Sequence, residues 1–266
     1  MTGTSAQMIA LIAYGNDYLK NETIPADFDA ANSTCQICCE INFRKPGEQE
    51  EDIANTPTDW FQYLKDEGCQ HLRLYFKDSK DQSFTKDYQP AKLASGGGAW
   101  LIEAVYDGYS NYWAAQWEIA GYDTPDKRIW IVNYDLCNEK EQTCNWQIDN
   151  QAVKDKLGQT LKGLADFSHR QKFSHWGEFF DKAKAVLDSD LPEENYTHGD
   201  LVPLDNYSLT GRQILFGACS AWFSGGMGSW DDLQFETEED HETYDRLSEQ
   251  LYANRIEAVI AAVNSY

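Results

Sequence analysis

The segment with the most unusual chemistry lies near the carboxyl end of the chain. It reads Trp222-Phe223-Ser224-Gly225-Gly226-Met227-Gly228-Ser229-Trp230-Asp231-Asp232. The clustered glycines permit positive φ angles, and the backbone N–H groups of such a loop can face an anion. However, the segment holds no Lys or Arg and lacks the Gly-Lys-[Ser/Thr] ending of a phosphate-binding loop. We therefore favour a tight structural turn, in which Trp230 either stacks on a ligand or is buried.

Acidic side chains are concentrated in two short runs. The runs are Glu48, Glu50, Glu51 and Asp52, and Glu236, Glu238, Glu239, Asp240 and Glu242. Like charges at this density are typical of a solvated face or an interaction surface. The sequence therefore predicts a binding surface near the C-terminus, formed by Trp230, Asp231, Asp232, Glu236, Glu238 and Glu239.

The same carboxylates leave a hydrolase open as the alternative function. Glycosidases need two carboxylates at a set separation in a cleft, and residues 225–232 are the region that could supply them. Nothing in the sequence selects which two acids would pair, so no catalytic residue is assigned. His198-Gly199-Asp200 could set a base beside its orienting carboxylate, but Gly and Asp are ordinary turn residues and favour a surface turn.

The remaining motifs do not match the patterns of metal or cofactor sites. Cys35-x-x-Cys38-Cys39 supplies only one of the two close-spaced pairs that a structural zinc site usually needs. An odd total of 7 cysteines favours free thiols. Gly96-Gly97-Gly98 precedes a predicted strand, whereas a dinucleotide-binding fingerprint follows one. We therefore predict no metal and no cofactor.

Composition and charge exclude some classes of partner. The chain of 266 residues carries 44 Asp+Glu against 22 Lys+Arg, which gives a net charge of −22. Such acidity argues against nucleic acid as a partner, because phosphate binding needs clustered cations. No apolar stretch approaches the ~18 residues that span a bilayer, and the N-terminus lacks the basic start of a secretion signal. We expect a cytoplasmic protein without a membrane partner; its oligomeric state is left open.

Apolar periodicity and turn residues predict the elements that position these side chains. Helices are predicted at residues 5–19, 56–68, 150–167, 174–187 and 209–223, with a last helix that begins after Thr237. Strands are predicted at residues 70–76, 99–106, 112–119 and 129–136. The fold class is therefore α+β: an antiparallel meander of about four strands with helices packed on it, and a helical C-terminal half. We expect a single domain over 1–266, with a soft division into 1–147 and 148–266.

The C-terminal pattern resembles an uncharacterised family of bacterial cytosolic proteins. The resemblance rests on the glycine-rich segment at 222–232, on Tyr244-Asp245-x-Leu247-Ser248-x-x-Leu251-Tyr252 and on Ala262-Val263-Asn264. Further similar segments are Tyr14-Gly15-Asn16, Gly96-Gly97-Gly98-Ala99-Trp100 and Lys127-Arg128-Ile129-Trp130-Ile131-Val132-Asn133-Tyr134. The likeness covers most of the chain and implies no catalytic residue. In acidity and size alone, the chain is also similar to the immunity proteins of bacterial toxin systems.

Two functions follow from these patterns. The first is an acidic cytosolic binding protein, an immunity-type inhibitor of a basic toxin, since complementary charge speeds encounter with a basic partner. The second is the hydrolase. A deep cleft that joins Trp230, Asp231 and His198 would favour the enzyme, whereas an open acidic face would favour binding.

Overall fold

The computed structural model describes residues 3–22, 28–47, 51–78, 98–120, 128–143, 147–194, 196–223 and 229–266. The chain divides into two compact units. The sheet unit comprises Thr2–Trp146, Asp200–Asn206 and Tyr266, and the helical unit comprises Gln147–Gly199 and Tyr207–Ser265. Each unit is built around its own set of buried side chains.

The sheet unit contains a mixed sheet of six strands in the described part of the chain. The strands are β1 (Cys38–Lys45), β2 (Glu51–Ala54), β3 (His71–Asp78), β4 (Gly98–Val105), β5 (Ser110–Ile119) and β6 (Trp130–Glu141). Their order is β2-β1-β6-β5-β4-β3, and only β1 and β6 pair in parallel. The predicted antiparallel run from β3 to β6 is present. The expectation of a sheet of about four antiparallel strands is wrong, because β1 and β2 extend it.

Local sequence explains why these two strands were not predicted. In β1, charged and polar residues interrupt the apolar ones, and the buried residues Cys38, Ile41 and Phe43 do not recur at a strict period of two. In β2, Glu51 and Asp52 have low strand propensity, and their acidic run indicates solvent exposure instead. The parallel partner of β1 also lies far along the chain, as a parallel crossover requires.

In its described part, the sheet unit contains three α-helices: α1 (Gly3–Asn21), α2 (Phe28–Ala31) and α3 (Pro57–Asp66). Thr56 caps α3, since its hydroxyl accepts the backbone N–H of Asp59 at 3.1 Å. Helix α1 packs on β3 and β4, and α3 packs on β1 and β2. Between helices and sheet the ring of Phe43 stacks on Trp60, with centroids 4.3 Å apart, and on Tyr134 at 5.1 Å.

The helical unit confirms the predicted helices of the C-terminal half. They are α4 (Asn150–Arg170), α5 (Ser174–Leu187), α6 (Leu209–Ser220) and α7 (Glu238–Val263). Helix α4 packs on α5, α6 and α7, and α6 also packs on α5 and α7. Side chains of Asp149, Ser208 and Thr237 cap α4, α6 and α7 at the predicted starts of the apolar repeats. Across the described ranges, no helix has both the length and the apolar character needed to cross a membrane.

Candidate functional site

Trp230 is a core residue of the helical unit. Its side chain is 0% exposed, and its indole N–H donates to the Ser248 hydroxyl at 2.7 Å. The ring meets Phe180 and Trp176 edge-on, with centroids 5.1 Å and 5.5 Å apart. The Tyr244 hydroxyl donates to the Trp230 carbonyl at 2.8 Å. Of the two alternatives for this ring, the structure therefore favours burial over stacking on a ligand.

The glycine loop at 224–228 lies outside the described residues, but the segments on either side of it are held in place. The Arg255 guanidinium lies over the Trp222 ring at 4.7 Å and the Phe223 ring at 5.1 Å, and it donates to the Ala221 carbonyl at 3.0 Å. Burial lowers the pKa of Arg255 to about 10, a shift that the nearby Asp231 opposes. Sequence reasoning did not identify this buried cation, because it falls within the apolar repeat of α7.

Asp231 and Asp232 follow Trp230 and are both exposed. The Asp232 carboxylate accepts the backbone N–H of Ser229 at 3.3 Å, so it closes the short 3-10 turn Trp230–Asp232. This hydrogen bond gives Asp232 a structural role in the turn. Asp231 makes no such contact within the described residues, and its carboxylate faces solvent.

The acidic residues of α7 form a pattern that the sequence runs alone do not reveal. Glu238, Glu242, Asp245 and Glu249 are all exposed and recur every three or four residues, so they lie along one face of the helix. We call these four residues the acidic stripe. It extends about 16 Å, at 1.5 Å per residue. Glu236 and Glu239 are also exposed and lie beside its first turn.

The acidic stripe makes few ion pairs within the described residues. The one ion pair there that involves the stripe is between Asp245 and His241, both on α7, at 3.8 Å. Acids in the first turn of a helix stabilise it through the helix dipole, which accounts for Glu238 and Glu239. Glu242, Asp245 and Glu249 lie beyond that turn, where like charges four residues apart oppose helix formation. Arg246 lies four residues after Glu242 and three before Glu249, so it offsets part of this repulsion. Helix stability therefore explains the acidic stripe only in part.

The Asp200 carboxylate, a candidate orienting group for a histidine base, has a structural role. It accepts the backbone N–H of Ser33 at 2.7 Å and also accepts the Ser33 hydroxyl. The Asn32 amide donates to the Asp200 carbonyl at 2.9 Å. Asp200 therefore fastens its own segment to the turn before β1 within the sheet unit.

The described cysteines are free thiols, and most of them are buried. Gln7 donates to the Cys38 sulfur at 3.4 Å, and burial raises the pKa of Cys38 to about 11. Cys39 is exposed. Cys144 lies outside the described residues. In the ranges that the structure covers, His, Cys, Asp and Glu form no group of three able to hold a metal ion.

A cavity of about 310 Å³ opens beside β1 in the sheet unit. Its lining comprises Cys38, Cys39, Glu40, Ile41, Asn42, Asn55, Thr56, Pro57 and Arg128. The sequence singled out only Cys38 and Cys39 among them, as half of a zinc-ligand pattern, and it indicated no cavity here because β1 itself was not predicted. The volume lies at the lower end of the range for small-ligand clefts.

Glu103 is a fully buried carboxylic acid on β4. One carboxylate oxygen accepts the Ser110 hydroxyl at 2.8 Å and the Tyr112 hydroxyl at 3.1 Å, whereas the other has no hydrogen-bond partner among the residues that the structure describes. Burial raises the pKa of Glu103 above its ordinary value. Arg73, its cross-strand neighbour on β3, acts in the opposite direction. The side chain is 0% exposed, so it is out of reach of a substrate in this conformation.

This burial predicts a pH-dependent stability. Since folded Glu103 holds its proton more tightly than unfolded Glu103, the free energy of unfolding falls as pH rises from the unfolded pKa, near 4.3, through the raised folded pKa. Relative to Glu103→Gln, the wild type should therefore gain stability as pH falls from 7 toward 4.5, by at most about 1.4 kcal/mol per pH unit. Urea unfolding of both proteins across this range measures the difference, and a difference independent of pH would show that the carboxyl titrates normally.

Comparisons with protein-family profiles, with curated proteins and with solved structures find no match to this chain.

Proposed function

We propose that this protein is an acidic, cytoplasmic binding protein of bacterial origin that binds a basic protein through the acidic stripe, as an immunity-type inhibitor binds a toxin. The observation that carries the proposal is the position of Glu242, Asp245 and Glu249, which are exposed and, within the described residues, make no ion pair other than that of Asp245 with His241. A cationic partner surface would relieve the repulsion among them.

The charge of the whole chain supports the same function. A net charge of −22 attracts a basic partner over distances well beyond contact and raises the rate of productive encounter. The resemblance to uncharacterised bacterial cytosolic proteins and the similarity in acidity and size to immunity proteins supply the cellular setting. We do not propose the hydrolase, because Trp230 is buried and Asp232 is engaged by the Ser229 backbone.

The test removes the stripe charges that helix capping does not explain. The triple variant Glu242→Gln, Asp245→Asn, Glu249→Gln changes the net charge from −22 to −19, since three negative charges are lost. At about 0.5 kcal/mol for each exposed charge pair, affinity for a basic partner should fall about tenfold at low salt. Proteins from an extract of the source cells are captured on the immobilised wild type and purified. The Kd of each captured protein is then measured for the wild type and for the triple variant.

A matched control separates the acidic stripe from net charge. Glu178, Asp190 and Glu194 are exposed carboxylates of the helical unit that lie outside α7. Their replacement by Gln, Asn and Gln gives the same net charge of −19 and should leave most of the affinity intact. Equal binding by wild type and both variants, or a captured partner that is acidic, would contradict the proposal.

A further inference from the structure

Two cysteines lie close together in the turn that leads into β1. The backbone N–H of Cys38 donates to the Cys35 carbonyl at 2.9 Å, so the two cysteines are the first and last residues of a four-residue turn. The α-carbons at the two ends of such a turn are less than about 7 Å apart. Disulfides usually join residues whose α-carbons are about 4.4–6.8 Å apart. The backbone therefore brings Cys35 and Cys38 close to the separation that a disulfide needs.

The two side chains also point toward the same atom. The side-chain nitrogen of Gln7, Nε2, lies 3.4 Å from the Cys38 sulfur and 4.0 Å from the Cys35 sulfur. Since both sulfurs contact one nitrogen, they lie on the same side of the turn and do not face apart. Rotation about the Cα–Cβ bonds can therefore bring the sulfurs together without unfolding the turn.

Gln7 holds this arrangement in place from α1. Its Nε2 also donates to the Thr34 carbonyl at 3.1 Å, and its Oε1 accepts the hydroxyl of Tyr134, on β6, at 2.9 Å. Gln7 and Tyr134 are fully buried, and Cys35 and Cys38 are only 1% and 4% exposed. The two thiols are therefore fixed at a junction of α1, β1 and β6 within the sheet unit.

Cys38 is the member of the pair that borders open space. It lines the 310 Å³ cavity beside β1, whereas Cys35 does not. The adjacent Cys39 is exposed, but its thiol donates to the Trp130 carbonyl of β6 at 3.1 Å. Burial raises the pKa of Cys38 to about 11, which keeps the reactive thiolate scarce at neutral pH. We therefore expect the pair to react slowly and the reaction to begin at Cys38.

We propose that Cys35 and Cys38 are a redox-active pair, which a low-molecular-weight disulfide converts into an internal disulfide. The Cys38 thiolate attacks one sulfur of the external disulfide, forms a mixed disulfide and releases one thiolate. The Cys35 thiolate then attacks the Cys38 sulfur and releases the second. In total the two cysteines lose two electrons and two protons, and the external disulfide is reduced to two thiols. The pair lies in the sheet unit, so this inference goes beyond the proposed function and does not depend on the acidic stripe.

The test locates the thiols that an oxidant removes. The folded protein is incubated with hydroxyethyl disulfide, a small neutral probe that the net charge of −22 does not repel. The reaction is quenched with acid, and the denatured chain is alkylated with N-ethylmaleimide and mapped by mass spectrometry. Cys35 and Cys38 should lose their labels together, and the peptide that holds them should lack two hydrogens and carry no probe on either residue. Dithiothreitol should restore both labels.

Cys69 provides the matched control within the same unit. It is also buried, and burial raises its pKa to about 12, but its thiol donates to the His71 carbonyl and contacts no second thiol among the described residues. The ratio of oxidised to reduced form at Cys35–Cys38 should exceed that at Cys69 by at least about tenfold, because a thiol held beside its target outcompetes a free one. Cys39→Ser should keep this ratio. The triple variant of the acidic stripe should also keep it, so failure of that surface and failure of this pair are distinguishable.

Several outcomes would overturn the proposal. Retention of both labels in excess probe, or a probe adduct on Cys38 without a bond to Cys35, would show that the two sulfurs do not meet in the folded protein. A disulfide that is lost in Cys39→Ser would show that Cys39 belongs to the pair instead. An equal ratio at Cys69, or oxidation that appears only in urea after the circular dichroism of the fold is lost, would show that the turn gives the two thiols no advantage.

Discussion

Replacement of Trp230 by alanine should lower the free energy of unfolding by about 3–5 kcal/mol, as for other large aromatic side chains in cores. The substitution empties the space that the indole fills against Phe180, Trp176 and Tyr244, and it leaves the Ser248 hydroxyl without its donor. Urea unfolding followed by circular dichroism measures the change.

The control is Tyr252→Ala, which removes a side chain that is 44% exposed on α7, the helix that carries Tyr244 and Ser248. It should change the free energy of unfolding by less than about 0.5 kcal/mol. If Trp230→Ala instead keeps the wild-type stability but loses a binding partner, the indole is a binding residue and its place in the core is wrong.

Phe43→Ala, in the sheet unit, should lower the free energy of unfolding by a similar amount, about 3–5 kcal/mol. The ring of Phe43 is 0% exposed and stacks between Trp60 and Tyr134, with interplanar angles of 9° and 14°. Its removal therefore withdraws contacts from α3 and β6 at once. Chemical unfolding monitored by the fluorescence of the tryptophans reports on this core.

Ile119→Ala provides the comparison for Phe43→Ala, since Ile119 is 46% exposed on β5 of the same unit. This substitution should lower the free energy of unfolding by no more than about 0.5 kcal/mol. Similar small losses from both substitutions would mean that β1 is not part of the core, and the six-stranded sheet would then be incorrect.

Periodicity predicted the helices well, because their buried faces repeat every three to four residues over long segments. The repeat in α4 reads Val153, Leu157, Leu161 and Leu164, and all four side chains are buried. The same method missed β1, where exposed Glu40 precedes buried Ile41 and only half of the strand faces the core. Its pairing with β6 depends on residues about ninety positions away, such as Asn42 with Asn133, and no local pattern encodes such a contact.

The candidate site follows from the sequence only where a local pattern carries it. Charge density in the sequence indicated an acidic surface. Glu236, Glu238 and Glu239 are exposed, and their role in binding stays a prediction. It did not extend the acidic stripe to Asp245 and Glu249, because apolar residues of the opposite helix face separate them in sequence. The sequence left the role of the Trp230 side chain open, since a large ring beside glycines can either stack on a ligand or be buried in a core.

The association rate constant of a captured partner, measured against ionic strength, tests the central claim most directly. For the wild type, kon should fall steeply as salt shortens the screening length from about 30 Å at 0.01 M to about 8 Å at 0.15 M. The variant Glu242→Gln, Asp245→Asn, Glu249→Gln should bind more slowly at low salt, and its rate should converge on the wild-type rate at high salt. A kon that ignores both the salt and the substitutions would contradict recognition through the acidic stripe.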